Sequence, residues 1–174
     1  MKLTIVEYPD KRLREKSKIV EKFNEELHTL LDAMNEAMMQ SNGIGLAAIQ
    51  VGHAIQVLII NIPDEENQQS SENLIEMINP TIIEKSGETT YQEGCLSVPK
   101  FYEDIVRFEK LSVSYQDREG NTKRVEADGL LSIAIQHEID HLNGILFIDK
   151  LSYPRRKKFE KEYKKLQKEK KTSK

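Results

Sequence analysis

The sequence predicts an α+β protein in which antiparallel β-sheets surround a central helix carrying His137-Glu138-Ile139-Asp140-His141, with an amphipathic helix at the C-terminal end. Three observations carry that expectation. Stretches with apolar residues at helical spacing stand apart from Val- and Ile-rich stretches. A turn sequence joins two of the latter, and the helical and extended runs do not alternate as a parallel sheet would require.

The first helix is expected over residues 24–40, where Leu27, Leu30, Leu31, Met34 and Met38 recur at helical spacing and Asn42-Gly43 supplies the stop. Residues 54–61 read as a strand, rich in Val and Ile and closed by Pro63. The polar stretch 64–73 reads as an exposed loop. Further strands are expected at 75–84, 105–116 and 122–126, with Arg118-Glu119-Gly120-Asn121 turning a hairpin between the last two. A second helix spans 129–142, with Asp128 as N-cap and Asn143-Gly144 as the C-terminal stop. A third starts near Pro154, a residue suited to a first helical turn, and carries an apolar stripe of Phe159, Tyr163 and Leu166. Leu46-Ala47-Ala48-Ile49 fits a loop, a strand or a short helix.

A chain of 174 residues is long enough for one domain with a real core. We therefore expect a single domain over residues 1–174, of which 154–174 form a basic C-terminal helix and tail. A content of 38% hydrophobic and 32% charged residues suits a soluble globular protein and argues against disorder. No apolar run approaches the ~20 residues needed to span a bilayer. The first seven residues meet charge too early for a secretory segment. One cysteine cannot close an internal disulfide, so a cytoplasmic location is expected, with Cys95 a free thiol or a ligand. The net charge of -3 conceals an asymmetry: residues 154–174 hold 11 Lys and Arg against 3 Glu.

The strongest chemical signal is H-E-x-x-H at His137-Glu138-Ile139-Asp140-His141. Residues four apart share a helical face, so both imidazoles can reach one cation, and the glutamate between them can serve as a general base. Leu130, Ile133 and Ala134 precede His137 on the same face and place an apolar wall beside it. Two histidines satisfied within an ordinary core are the bland alternative. Burying two histidines and a glutamate without partners costs about 1–3 kcal/mol for each group, which argues against it. A catalytic site of this type needs a third protein ligand. The extended pattern H-E-x-x-H-x-x-G-x-x-H is followed through Gly144, but its last position is Phe147, and no histidine follows His141. Downstream acids such as Asp149 remain open as ligands; Cys95, the single thiol, is the better candidate.

Three segments together resemble the signature of the peptide deformylase family: Gly43-Ile44-Gly45-Leu46-Ala47-Ala48-Ile49-Gln50, Glu93-Gly94-Cys95-Leu96-Ser97 and Gln136-His137-Glu138-Ile139-Asp140-His141. The resemblance implies a hydrolase that removes the formyl group from the N-terminal formylmethionine of nascent polypeptides and releases formate. It implies that Cys95, His137 and His141 hold one divalent metal ion, ferrous iron natively, for which zinc, nickel or cobalt could substitute. Glu138 would take a proton from a metal-bound water and pass it to the leaving amine. Gln50 and the backbone N–H of Leu96 would stabilise the oxyanion. The backbone near Ile44 and Gly45 would approach the peptide.

An unbranched methionine side chain needs an apolar slot, for which Ile44, Leu130, Ile133 and Ala134 are candidate walls; plain core packing explains Leu130 and Ile133 equally well. Glu93 and Arg107 are expected to pair and brace the cysteine strand. Many relatives carry glycine after the Val-Pro pair and an arginine nearby, where this chain has Lys100-Phe101-Tyr102. The expected partners are N-formylmethionyl nascent peptides and, through the basic C-terminal helix, the ribosome, with no membrane and no DNA partner. A docked helix with a solvated charged face is the alternative for that segment. An endopeptidase of the H-E-x-x-H type is the rival activity, disfavoured by the absent third histidine.

Overall fold

In the computed structural model of the chain, residues 1–172 are described. The elements follow in the order α1 (Glu25–Gln40), β1 (Gly45–Ala47), β2 (Val57–Asn61), β3 (Leu74–Ser86), β4 (Thr89–Cys95), β5 (Val98–Arg107), β6 (Lys110–Gln116), β7 (Thr122–Asp128), α2 (Gly129–Leu142) and α3 (Tyr153–Thr172). The end of the expected basic tail, Ser173 and Lys174, lies outside the described residues. Five strands form an antiparallel sheet in the order β1-β2-β3-β6-β7, and β4 pairs with β5 as a separate antiparallel hairpin. The fold is α+β. Among the described residues, no helix is long and apolar enough to cross a membrane.

Helix α1 starts where Asn24 accepts a hydrogen bond from the Leu27 N–H at 3.1 Å, and Glu25 and Glu26 favour the positive end of its dipole. It ends at Gln40, and two residues on Asn42, with a φ of 56°, turns the chain away from the helix. Strand β2 reads as an unbroken apolar run because both its faces are covered. Val57 and Ile59 pack with Leu31, Met34 and Met38 of α1, while Leu58 and Ile60 pack with Ala134, Ile135 and Leu142 of α2. The strand begins at Val57, three residues later than expected, because residues 54–56 are held by the N-terminal segment instead: the Lys18 N–H donates to Ala54 O and the Gln56 N–H to Lys18 O.

The expected single strand over 105–116 is two strands belonging to different sheets. The chain changes sheets at Phe108. There α2 side chains replace the strand ladder: Gln136 Oε1 accepts from the Phe108 N–H at 3.0 Å, while Ser132 Oγ and Gln136 Nε2 donate to its carbonyl. The cysteine strand, β4, had no bounds in the sequence expectation, since Thr-Thr-Tyr-Gln-Glu-Gly-Cys shows no apolar alternation and its extended form depends on pairing with β5. The ambiguous Leu46-Ala47-Ala48-Ile49 divides between β1 and a 3-10 turn at Ala48–Val51.

Helix α2 is the central element. Ser132 to Glu138 are buried without interruption, so it is wrapped on all sides. Helix α3 docks through Phe159, only 2% exposed, which packs with Phe101 and Tyr8 at ring distances of 4.8 and 5.7 Å. Tyr163 donates its hydroxyl to Tyr8 O at 2.6 Å, tying this helix to the N-terminal segment.

Candidate metal centre

Two elements deliver the three candidate ligands. The helical repeat of α2 brings His137 and His141 to one face, with their Nε2 atoms 3.3 Å apart. The end of β4 brings Cys95 Sγ to 3.4 Å from His141 Nε2. All three ligand atoms lie within 4.8 Å of one another. A tetrahedral ion with bonds of ~2.0–2.3 Å to nitrogen and sulfur would separate its donors by about 3.3–3.6 Å, so the spacing suits a shared cation. The donor set, one thiol and two imidazoles, suits zinc or a first-row transition metal. Asp149 is elsewhere, pairing with Arg14 at 2.5 Å and Arg156 at 2.9 Å. Phe147, which occupies the place of a third histidine, is buried and stacks 6.2 Å from the His137 ring.

Behind the three candidate ligands stands a buried ionic network. His137 Nδ1 meets Glu93 Oε1 at 2.9 Å, an arrangement that would leave Nε2 to face a cation. Arg107 clamps the same carboxylate through Nε at 2.7 Å and Nη2 at 2.8 Å, and reaches Asp140 with Nη1 at 2.6 Å. The expected Glu93–Arg107 pair is thus present. The contact of Glu93 with His137 and the capture of Asp140 were not anticipated. The H-E-x-D-H spelling held the only signal for Asp140, since position 140 lies one residue from a ligand yet points toward another strand.

The electrostatics favour a positive centre. Burial disfavours charge on His137, but Glu138, Cys95 and Glu93 together raise its pKa well above the ordinary value. Burial, and then the charge of His137, hold the pKa of His141 well below it. Burial pushes Glu138 up to about 7; His137 and Arg107 pull against that rise, while Glu93 and Asp140 add to it. Its Oε1 is buried without a hydrogen-bond partner among the described residues, as is Nδ1 of His141.

A cavity of about 480 Å³ opens over this cluster. Cys95, His137, Glu138, Gln50 and Leu96 lie on its floor and sides, and Ile44, Gly45, Leu130, Ile133 and Ala134 also line it. Every site residue expected from the sequence except His141 therefore faces one cavity, and His141 Nε2 lies 3.4 Å from Cys95 Sγ and 3.3 Å from His137 Nε2. Gln50 is fixed at both ends: Oε1 accepts from the Ala47 N–H at 2.9 Å, and Nε2 donates to Ser97 Oγ at 3.0 Å while lying 3.6 Å from Cys95 Sγ. Ser97, fully buried, closes the second of the three sequence segments but was given no role there, since the pattern does not show what its hydroxyl meets.

The family model described as polypeptide deformylase matches residues 2–157. The peptide deformylase of Wolinella succinogenes is 57% identical over 165 residues, 95% of this chain and 97% of that protein. That of Helicobacter pylori strain HPAG1 is 57% identical, covering 97% of each. Among solved structures, the peptide deformylase from Legionella pneumophila superposes with a TM-score of 0.87 at 39% identity, over 96% of this chain and 98% of that one. The Ehrlichia chaffeensis peptide deformylase in complex with actinonin gives 0.85 at 41% identity, over 94% and 96%. With the family model spanning all three segments that line the site, and relatives 57% identical over nearly the whole chain, the chain belongs to the polypeptide deformylase family.

Proposed function

We propose that this protein removes the formyl group from the N-terminal formylmethionine of nascent polypeptides, with Cys95, His137 and His141 as the ligands of one divalent cation. The observation that carries this reading is the convergence of those three donors beneath a cavity, beside an unpartnered Glu138 oxygen. Membership of the family supports the same activity. Ferrous iron is the proposed native metal, with zinc, nickel or cobalt as substitutes. A bound cation would lower the pKa of water at the site toward neutrality and polarise the formyl oxygen.

The chain's own residues would do the rest. Glu138, its pKa raised by burial to about 7, is suited to accept the proton of the attacking water and return it to the leaving amine. Because Gln50 Oε1 is held by the Ala47 N–H, its NH₂ group is turned toward the thiol. From there it would stabilise the oxyanion with the Leu96 N–H; one such donor is typically worth about 10²–10³ in rate. Ile44, Leu130, Ile133 and Ala134 would receive the methionine side chain, the small Ala134 leaving room for it. Glu93 would orient His137, with Arg107 keeping the carboxylate ionised and in place.

The test is anaerobic metal content and deformylation of a formyl-Met peptide by wild type, Cys95→Ala and Glu138→Ala. Glu138→Ala keeps metal and loses about 10²–10⁴ in turnover, while Cys95→Ala loses metal or turnover sharply. Normal turnover in both would overturn the reading.

The proposed setting is the cytoplasm, with the basic face of α3 against ribosomal RNA, where lysines supply non-specific phosphate affinity. Lys158, Lys161, Lys164, Lys165 and Lys168 are exposed along that helix, which supports the contact. Cutting the helix away would remove Phe159 from the core, so the clean test changes these five lysines to glutamate and measures ribosome co-sedimentation. Undiminished binding would remove the contact from the proposal.

A further inference from the structure

The polar segment 62–73 is held against the site. Asp64 closes it, accepting hydrogen bonds through Oδ1 from the N–H groups of Glu66 and Gln68 at 2.9 Å each. Residues 64–68 and 70 are exposed, but Gln69 turns inward and is half-buried. Its Nε2 donates to Gly43 O at 2.9 Å and to Asn61 O at 2.8 Å. Asn61 continues the arrangement: its N–H donates to Ile44 O at 2.8 Å and its Nδ2 to Ser70 O at 2.9 Å. Both carbonyls leading into β1 are therefore engaged from the side of this loop and β2.

In a trans peptide the C=O and N–H of one unit point in opposite directions. Drawing Gly43 O toward Gln69 thus aims the Ile44 N–H away from the loop. Gly43, Ile44 and Gly45 line the cavity, whereas Gln69, which holds Gly43 O, does not. The Ile44 N–H makes no hydrogen bond among the described residues. We infer that Gln69 is a positioning residue, whose amide sets the Gly43–Ile44 peptide so that the Ile44 N–H meets a carbonyl of the bound peptide. This deepens the proposed activity and rests on it.

The test uses cation-loaded wild type, Gln69→Met and Gln69→Ala with two substrates. One is an N-formyl-Met tripeptide. The other is N-formyl-3-(methylthio)propylamine, which keeps the formyl group and side chain but has no carbonyl after them. Both variants raise KM for the tripeptide about tenfold, equivalent to about 1.4 kcal/mol, with kcat within about twofold. For the carbonyl-free compound, kcat/KM stays within about twofold of wild type. An unchanged KM for the tripeptide, or an equal loss with both substrates, overturns the inference. Loss of the fold in both variants assigns Gln69 to structure alone and also overturns it. Wild-type inactivity on both substrates would instead bring down the proposed activity itself.

Discussion

The carboxylate of Glu138 rests directly on the Cα of Gly45: a methyl group built there would stand 2.6 Å from Oε2 and 3.2 Å from Cγ. Glycine is required at position 45 for space, since its backbone does not have positive φ. The first of the three sequence segments thereby shapes the seat of the proposed acid–base group in the third.

Gly45→Ala should displace Glu138 while leaving the three metal-binding candidates in place. The expected outcome is unchanged metal content with turnover reduced about 10²-fold, the lower end of what a general acid–base group contributes. Steady-state kinetics beside metal analysis checks this; turnover within about twofold of wild type would show that Glu138 does not act from this position.

The Glu93–Arg107 pair, each side chain 3% exposed, gives a prediction about stability and ligand orientation. Arg107→Met leaves two carboxylates, Glu93 and Asp140, without their shared cation, and a loss of about 3–5 kcal/mol is expected in urea unfolding. Glu93→Gln preserves shape and one acceptor for His137 but weakens its orientation, so metal affinity should fall about 10–100-fold. A competition titration with a chelator reads that loss.

Asp149 predicts a pH dependence. Burial opposes its ionisation, but Arg14, the Leu146 N–H and Arg156 outweigh burial and lower its pKa in the fold. A depressed folded value means that the carboxylate contributes stability above its unfolded pKa of ~3.9 and loses it as pH falls through the lower folded value. Asp149→Asn should therefore lower the urea midpoint at neutral pH, and its gap to wild type should narrow below about pH 4. A gap independent of pH would mean that ionisation of this group contributes nothing.

Much of the site was legible because its chemistry is written in short local patterns. His137 and His141 are tied by helical spacing alone, and the apolar faces of α1 and α2 follow from periodicity. Cys95 reaches them from the end of β4, far upstream in the chain, and no local signal announces that approach. For the same reason the bounds of β4 and the break at Phe108 escaped: the former depend on the partner strand, and the latter on Ser132 and Gln136 of α2. Ser97 accepts one hydrogen bond from the Gln50 amide and Gln69 donates two to backbone carbonyls, and such contacts leave no compositional trace.

The central claim is that one cation is shared by the Cys95 thiolate and the two imidazoles of α2. X-ray absorption on the zinc-loaded protein tests it most directly. One sulfur at ~2.3 Å and two histidine nitrogens at ~2.0–2.1 Å are expected, with the sulfur shell gone in Cys95→Ser. A wild-type spectrum without sulfur, or one that Cys95→Ser leaves unchanged, would contradict it.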